Sequence, residues 1–324
     1  MLTDTILALF IAFFACAALC PLLIPLLHRM KFGQQVRDDG PQSHLKKSGT
    51  PTMGGIMIVI AIALGCLPFL KKAPETLPVL LFTLAFGFIG FLDDFLKIKR
   101  KQSEGLKGWQ KFALQLLATG VLAWRLLASG AYSEILVPFT GNTETGLMLP
   151  LGALFVPFVF LVVLGTDNGV NFTDGLDGLC SSVTIVVALF FAAVACRFTP
   201  GAAPVSGAVI GALLGFLLFN CYPAKVFMGD TGALALGGYA AAIALVQRMP
   251  LFLMVVGIIY MAEVISVILQ VGYFKATKGK RLFRMAPLHH HFEVGGVKES
   301  QVVVRFWIVT MVLVLFGLSS LKLR

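Results

Sequence analysis

Charge is scarce in this sequence: Asp, Glu, Lys and Arg make up 13% of 324 residues, and only 16 positions are acidic. A soluble domain cannot be wrapped in so few charges, and 58% hydrophobic content exceeds the roughly 45–50% usual for one. Cysteine is sparse too. The six residues (16, 20, 66, 180, 196, 221) lie in or beside apolar runs without a close CxxC pair, which argues against a disulfide framework or a zinc site. No GxxxxGK[ST] stretch occurs, so a P-loop nucleotide site is excluded. Internal repeats and low-complexity linkers are also missing, and the polar start of the first apolar run (Thr3, Asp4, Thr5) lacks the basic n-region of a cleaved signal.

What remains is a series of long runs that are apolar on every face, the mark of bilayer-spanning helices rather than amphipathic ones. They predict an all-α polytopic integral membrane protein forming a single domain over residues 1–324. About ten spans are expected, near 4–27, 53–70, 77–96, 109–128, 148–166, 179–197, 205–222, 231–247, 250–272 and 304–322. Loops after odd-numbered spans carry most of the loop Lys and Arg. Those after even-numbered spans carry Lys71, Lys72 and Arg248, with Arg197 at a helix end. By the positive-inside rule the odd loops are cytoplasmic and both termini extracytoplasmic. The net charge of +10 therefore points to anionic lipid headgroups, not to nucleic acid.

Five polar stretches fall at odd-loop mouths: HLKKSGTPTMGG (44–55), FLDDFLK (91–97), LGTDNGVNFTDGLDG (164–178), NCYPAKVFMGDTG (220–232) and GKRLFRMAPLHHHFE (279–293). The topology count made no use of them, so their coincidence on one face is independent support for a shared cleft. Six of the sixteen acids (Asp93, Asp94, Asp167, Asp174, Asp177, Asp230) sit at these helix ends. Charges placed at the bilayer centre cost roughly 2.5–3.5 kcal/mol each, so a hydrated site is expected there. Asn168, Asn171, Asp174 and Asp177 recur at steps of three, and Gly169, Gly175 and Gly178 favour a loop folded into the cleft over a continuous helix. Asp177 could instead cap the next helix, as Asp230 could cap its own, and Asp93 or Asp94 could simply pair with Lys97 at i,i+4 or i,i+3.

Carboxylates without a Cys/His cluster favour Mg2+ or Mn2+, with Asp230 as a ligand and substrate phosphate completing the shell. With Lys46, Lys47, Lys97 and Arg281 among the acids, the pattern points to phosphoryl transfer by positioning and charge neutralisation. In an extended segment His289 and His291 would share a side and His290 oppose them, in reach of phosphate or a proton. A membrane enzyme joining a soluble phosphate donor to a lipid acceptor is the expectation. An ion-coupled transporter would place its acids near the midplane on broken helices instead.

LDDFLK, NGVNFTDGLDG, FMGDTG and MAPLHHHFE together resemble the polyprenyl-phosphate N-acetylhexosamine-1-phosphate transferases, almost end to end. PLHHHFE discriminates best between the phospho-MurNAc-pentapeptide branch and sister enzymes that use UDP-GlcNAc. Gly169 and Phe172 depart from the usual Ala and Leu, while every polar position is kept. The resemblance implies transfer of phospho-MurNAc-pentapeptide from UDP-MurNAc-pentapeptide to undecaprenyl phosphate, at the cytoplasmic face of a bacterial inner membrane, by a homodimer. It implies Asp93 as the base, with a carboxylate nucleophile as the rival scheme, Asp94 assisting and Asp230 as the metal ligand. His289 would act at the catalytic centre. Asn168, Asn171, Asp174 and Asp177 would hold the nucleotide region, and Lys97, Asn220 and Phe227 the uridine. Lys47, Thr52, His290 and His291 would complete the cleft.

Overall fold

The computed structural model describes residues 2–29, 49–100, 102, 104–130 and 133–321. In chain order its helices are α1 (Leu2–Arg29), α2 (Gly55–Cys66), α3 (Thr76–Arg100), α4 (Gly108–Ala128), α5 (Phe155–Thr173), α6 (Leu179–Phe198) and α7 (Ala203–Asn220). They continue as α8 (Gly229–Val246), α9 (Pro250–Val256), α10 (Ile258–Ala276), α11 (Leu288–Val294) and α12 (Glu299–Ser320). A short antiparallel pair, β1 (Glu134–Leu136) and β2 (Met148–Pro150), joins α4 to α5.

Among the described residues nine helices are long and apolar enough to cross a membrane, and a shorter apolar one covers Gly55–Phe69. They correspond one for one to the ten expected spans, so the all-α polytopic class holds. Three boundaries differ. The fifth span does not begin at 148, because residues 148–150 pair with 134–136 as a strand. It also does not stop at 166: α5 runs on to Thr173, so Asn168 and Asn171 are helical and the expected loop shrinks to 174–178. Neighbouring helices bury this last turn, and their packing outweighs the glycine penalty at Gly169. The expected ninth helix (250–272) is broken at Gly257, where α9 ends and α10 begins.

The centre of the bundle is α8, where Ala233 to Val246 is buried throughout, with α3 and α5 packed against it. Lipid-like exposure falls on the peripheral helices instead: Phe10, Phe14, Leu117, Trp124, Ile268 and Phe316 all lie open. With hydrocarbon outside, helix association relies on close packing at small residues. On α7, Gly207, Gly211 and Gly215 press directly on the carbonyls of Thr5, Leu9 and Phe13 in α1. The C-terminal ends of α3, α5 and α7 and the N-terminal ends of α4, α6 and α8 then meet at one mouth, where the polar motifs gather.

Candidate active site

The polar cluster forms because α3 and α8 touch backbone to backbone. A β-carbon at Gly90 would overlap the Asp230 carbonyl, so only glycine allows the approach. One turn further along α3, Asp94 spends both oxygens on the first turn of α8. Oδ2 accepts from the Thr231 N–H at 2.8 Å and its hydroxyl at 2.7 Å, and Oδ1 accepts from the Asp230 N–H at 3.3 Å. The orphan donors of α8 are thus satisfied from a neighbouring helix. The capping role considered for Asp230 belongs to Asp94.

Asp230 is left free to turn into the cleft. Its Oδ2 meets the Lys97 and Lys111 ammonium groups, each at 2.9 Å. Asn171, with its amide oriented to suit its neighbours, donates to Asp230 Oδ1 at 3.3 Å and accepts from Lys111 at 3.3 Å. Asp93 pairs with Lys97 at 2.6 Å through Oδ2, while Oδ1 accepts the Leu106 N–H at 2.8 Å. One oxygen each from Asp93, Asp94 and Asp230 lie within 4.8 Å of one another, so three hard donors can share a cation there. An open cleft of about 550 Å³ lies over Asp93, Lys97, Lys111 and the 104–108 segment. Asp174 ends α5 beside this cluster. Lost hydration and the Asp230 and Asp94 charges push its carboxyl well above the usual range, with the Gly229 N–H opposing.

Two motifs are zipped together by their backbones. Phe227 donates to the Pro51 carbonyl (2.8 Å), Gly54 to that of Phe227 (2.9 Å) and Gly55 to that of Met228 (2.8 Å). Thr52 and a half-buried Phe227 thereby sit at the rim of Asp230.

A carboxylate trio, two lysines and an asparagine at a helix-bundle mouth suit phosphate chemistry, and the comparisons identify whose. A profile of glycosyl transferase family 4 matches residues 76–248, and the phospho-N-acetylmuramoyl-pentapeptide-transferase signature 1 matches residues 47–59. The phospho-N-acetylmuramoyl-pentapeptide-transferase of Clostridium botulinum is 48% identical over 326 residues, covering 99% of this chain and 98% of its own. Those of Acetivibrio thermocellus (48% over 306 residues, 94% and 91%) and Clostridioides difficile (47% over 306, 94% and 93%) carry the same name. The chain belongs to the phospho-N-acetylmuramoyl-pentapeptide-transferase family.

Within this transferase frame, Asp93, Asp94, Lys97, Asn171, Asp174 and Asp230 come together at the mouth, with Thr52 at its edge. Others act beside it. Asp177 does not cap α6; its Oδ2 accepts from the Ala224 N–H at 2.9 Å and its own N–H goes to Glu299. Asn220 is buried, accepting from Ser181 (3.1 Å) and donating to the Val226 carbonyl (3.0 Å). Both tie down the 221–227 segment that carries Phe227. Asn168 donates back to the Leu164 carbonyl of its own helix at 2.8 Å.

The three histidines are on a helix, α11, not on an extended strand. They therefore fan out at about 100° per residue, and the expected pairing of His289 with His291 does not form. His289 is buried between Glu263, 3.2 Å from its Nδ1, and Gly175, where a β-carbon would overlap the ring. His290 meets Glu293 at 3.1 Å, and His291 accepts from the Arg284 N–H at 3.1 Å. Lys47 lies outside the described residues.

Lys111 and Glu263 escaped the sequence reading. A lysine one turn into a bilayer helix was a legible signal, because an intramembrane cation needs a named partner. Glu263 stands alone in an apolar run, and the same reasoning would have found it.

Proposed function

We propose that this chain transfers phospho-MurNAc-pentapeptide from UDP-MurNAc-pentapeptide to undecaprenyl phosphate, giving lipid I and UMP, a membrane step of peptidoglycan synthesis. The observation that carries the reading is the Asp93–Asp94–Asp230 trio beneath an open, lysine-lined cleft. In the reaction an oxygen of the lipid phosphate bonds to the sugar-bearing phosphorus of the donor, and the bond to the UMP phosphate breaks.

Asp93 suits the role of base. Lys97 and the Leu106 N–H hold and aim its carboxyl, and it borders the open cleft where an acceptor phosphate would present its proton. Asp94 is committed to α8 and holds Asp230 in place. The donor set is all carboxylate, which fits Mg2+ or Mn2+ with Asp230 as principal ligand. When bound, such a cation supplies charge neutralisation for the donor's diphosphate. Lys97 adds positive charge that suits a phosphate-bearing transition state, where catalysis is mostly positioning, and Lys111 pairs with Asp230 before a cation binds. Asn171 and Asp174 would hold the nucleotide region beside them, with Thr52 and Asn168 along the rim, and the family resemblance assigns Lys47 to substrate as well. Phe227 offers an aromatic face for uracil, on a segment fixed by Asp177 and Asn220. His289 to His291 would close the far wall, the buried His289 held by Glu263. Lysine distribution supports the mouth facing the cytoplasm, both termini outside, and the family resemblance supports a homodimer.

The test is UMP release by purified protein given undecaprenyl phosphate, Mg2+ and UDP-MurNAc-pentapeptide, with UDP-GlcNAc as the control donor. Turnover with the first alone is expected; UMP release only with UDP-GlcNAc would overturn the donor assignment.

A further inference from the structure

One acid of the 164–178 stretch does not reach the cleft. Asp167 is 0% exposed, one helical turn deeper than Asn171 on the same face of α5. Its Oδ2 accepts a hydrogen bond from the Gln115 side-chain amide, and its Oδ1 is buried without a hydrogen-bond partner. Gly237 of α8 makes the room: a β-carbon there would sit 2.5 Å from that oxygen. Gln115, 2% exposed, is four residues beyond Lys111 on α4, so it lies on the Lys111 face and one turn deeper. A carboxyl sunk in a bilayer helix bundle with an uncommitted oxygen is costly, and such groups mark function more often than packing.

The cost is explained by what happens to Lys111. Its ammonium and that of Lys97 both sit on Asp230 Oδ2, so two positive charges already occupy the carboxylate a divalent cation would need. Lys97 has alternatives close by, Asp93 at 2.6 Å and Asp94 at 3.7 Å. Lys111 has Asn171, a neutral amide, and below it on its own helix the buried Gln115. One turn is about 5.4 Å, within the swing of a four-carbon side chain, and it leads to Gln115 and Asp167.

We propose that Asp167, held by Gln115, is the second station for Lys111: the ammonium leaves Asp230 for the free Asp167 oxygen when a divalent cation binds. Lys111 stays protonated throughout, so the site exchanges one cation for another without stranding a charge in the bundle. Asp167 is a positioning residue in this scheme. It rests on the reading of Asp230 as a cation ligand.

Mn2+ binding to the full-length purified chain in lipid nanodiscs, read by the loss of the free-Mn2+ resonance without any substrate, tests the exchange. Asp167→Asn should weaken Mn2+ binding about tenfold, the scale of a lost charge partner in a partly buried site. In a Lys111→Met background the same substitution should change binding less than about twofold, because there is no ammonium left to relocate. Asp167→Ser, which keeps an acceptor for Gln115, serves the same arm should Asp167→Asn fail to fold. Unchanged Mn2+ binding in Asp167→Asn overturns the proposal, as does a loss of equal size in the Lys111→Met background, which would mean simple attraction of the metal by Asp167. Parent protein that binds no Mn2+ removes the cation site itself and this inference with it; binding abolished by Asp230→Asn but indifferent to Asp167 removes only the inference.

Discussion

At the residue scale the site assigns different duties to neighbouring carboxylates. Asp93 borders the cleft and Asp94 faces a helix end, so their substitution should fail in different ways. Asp93→Asn is expected to cut kcat by at least about a hundredfold, the usual worth of a general base, with little change in Tm. Asp94→Asn leaves the Thr231 donors with a weaker acceptor and should lower Tm as well as activity; equal Tm values for the two variants would contradict this division. Asp174 offers a pH test. A carboxyl with a raised folded value holds its proton more tightly when folded, so it stabilises the fold at low pH and this contribution is lost as pH rises through that value. In EDTA, the Tm of the parent should therefore fall on going from about pH 5 to 8, while that of Asp174→Asn falls less. An identical pH profile would refute the assignment. The acids and His289 were legible in the sequence because charge is rare in an apolar chain. Their partners were not, since neither the Asp94–Thr231 cap nor the Glu263–His289 contact follows from spacing.

At the element scale, spans were readable because length and uniform apolarity leave one solution in a bilayer. Helix ends were less so. The final turn of α5 is helical although its sequence (Asn168, Gly169, Asn171) reads as loop, since propensity yields to burial against α10, where a β-carbon at Gly169 would press on the Tyr260 carbonyl at 2.6 Å. The break at Gly257 was equally hidden, being a matter of how α9 seats against α12. The glycine stripe of α7 gives an element-level test. Gly211→Leu should separate α7 from α1 and reduce the yield of folded protein in mild detergent, whereas the same change at Gly272, where nothing lies within 4 Å, should not. Comparable monodispersity of the two by gel filtration would count against the stripe.

For the whole molecule, the helix ends that carry the polar motifs meet at one mouth, on the side that the lysine count predicts to be cytoplasmic. Cysteines introduced at Lys107 and at Glu144, exposed positions near the polar mouth and on the β-hairpin side, should label from opposite sides of the membrane in a background without the exposed Cys221. Labelling of both from the same side would overturn the topology. What sequence could not supply at this scale was which side chains meet within the shared cleft, because the order of helices around α8 depends on which small residues meet, such as Gly90 with Asp230 and Gly55 with Gly232.

The Gly90 contact has a bearing on ion choice. Because α3 and α8 already touch through backbone atoms, the span between the Asp93–Asp94 pair and Asp230 cannot shrink without a clash. Mg2+ binds oxygen at about 2.0–2.1 Å and tolerates few protein ligands, whereas Ca2+ wants six to eight at about 2.3–2.6 Å. Replacing Gly90 would be expected to push the pair and Asp230 apart, toward the longer bonds that Ca2+ prefers.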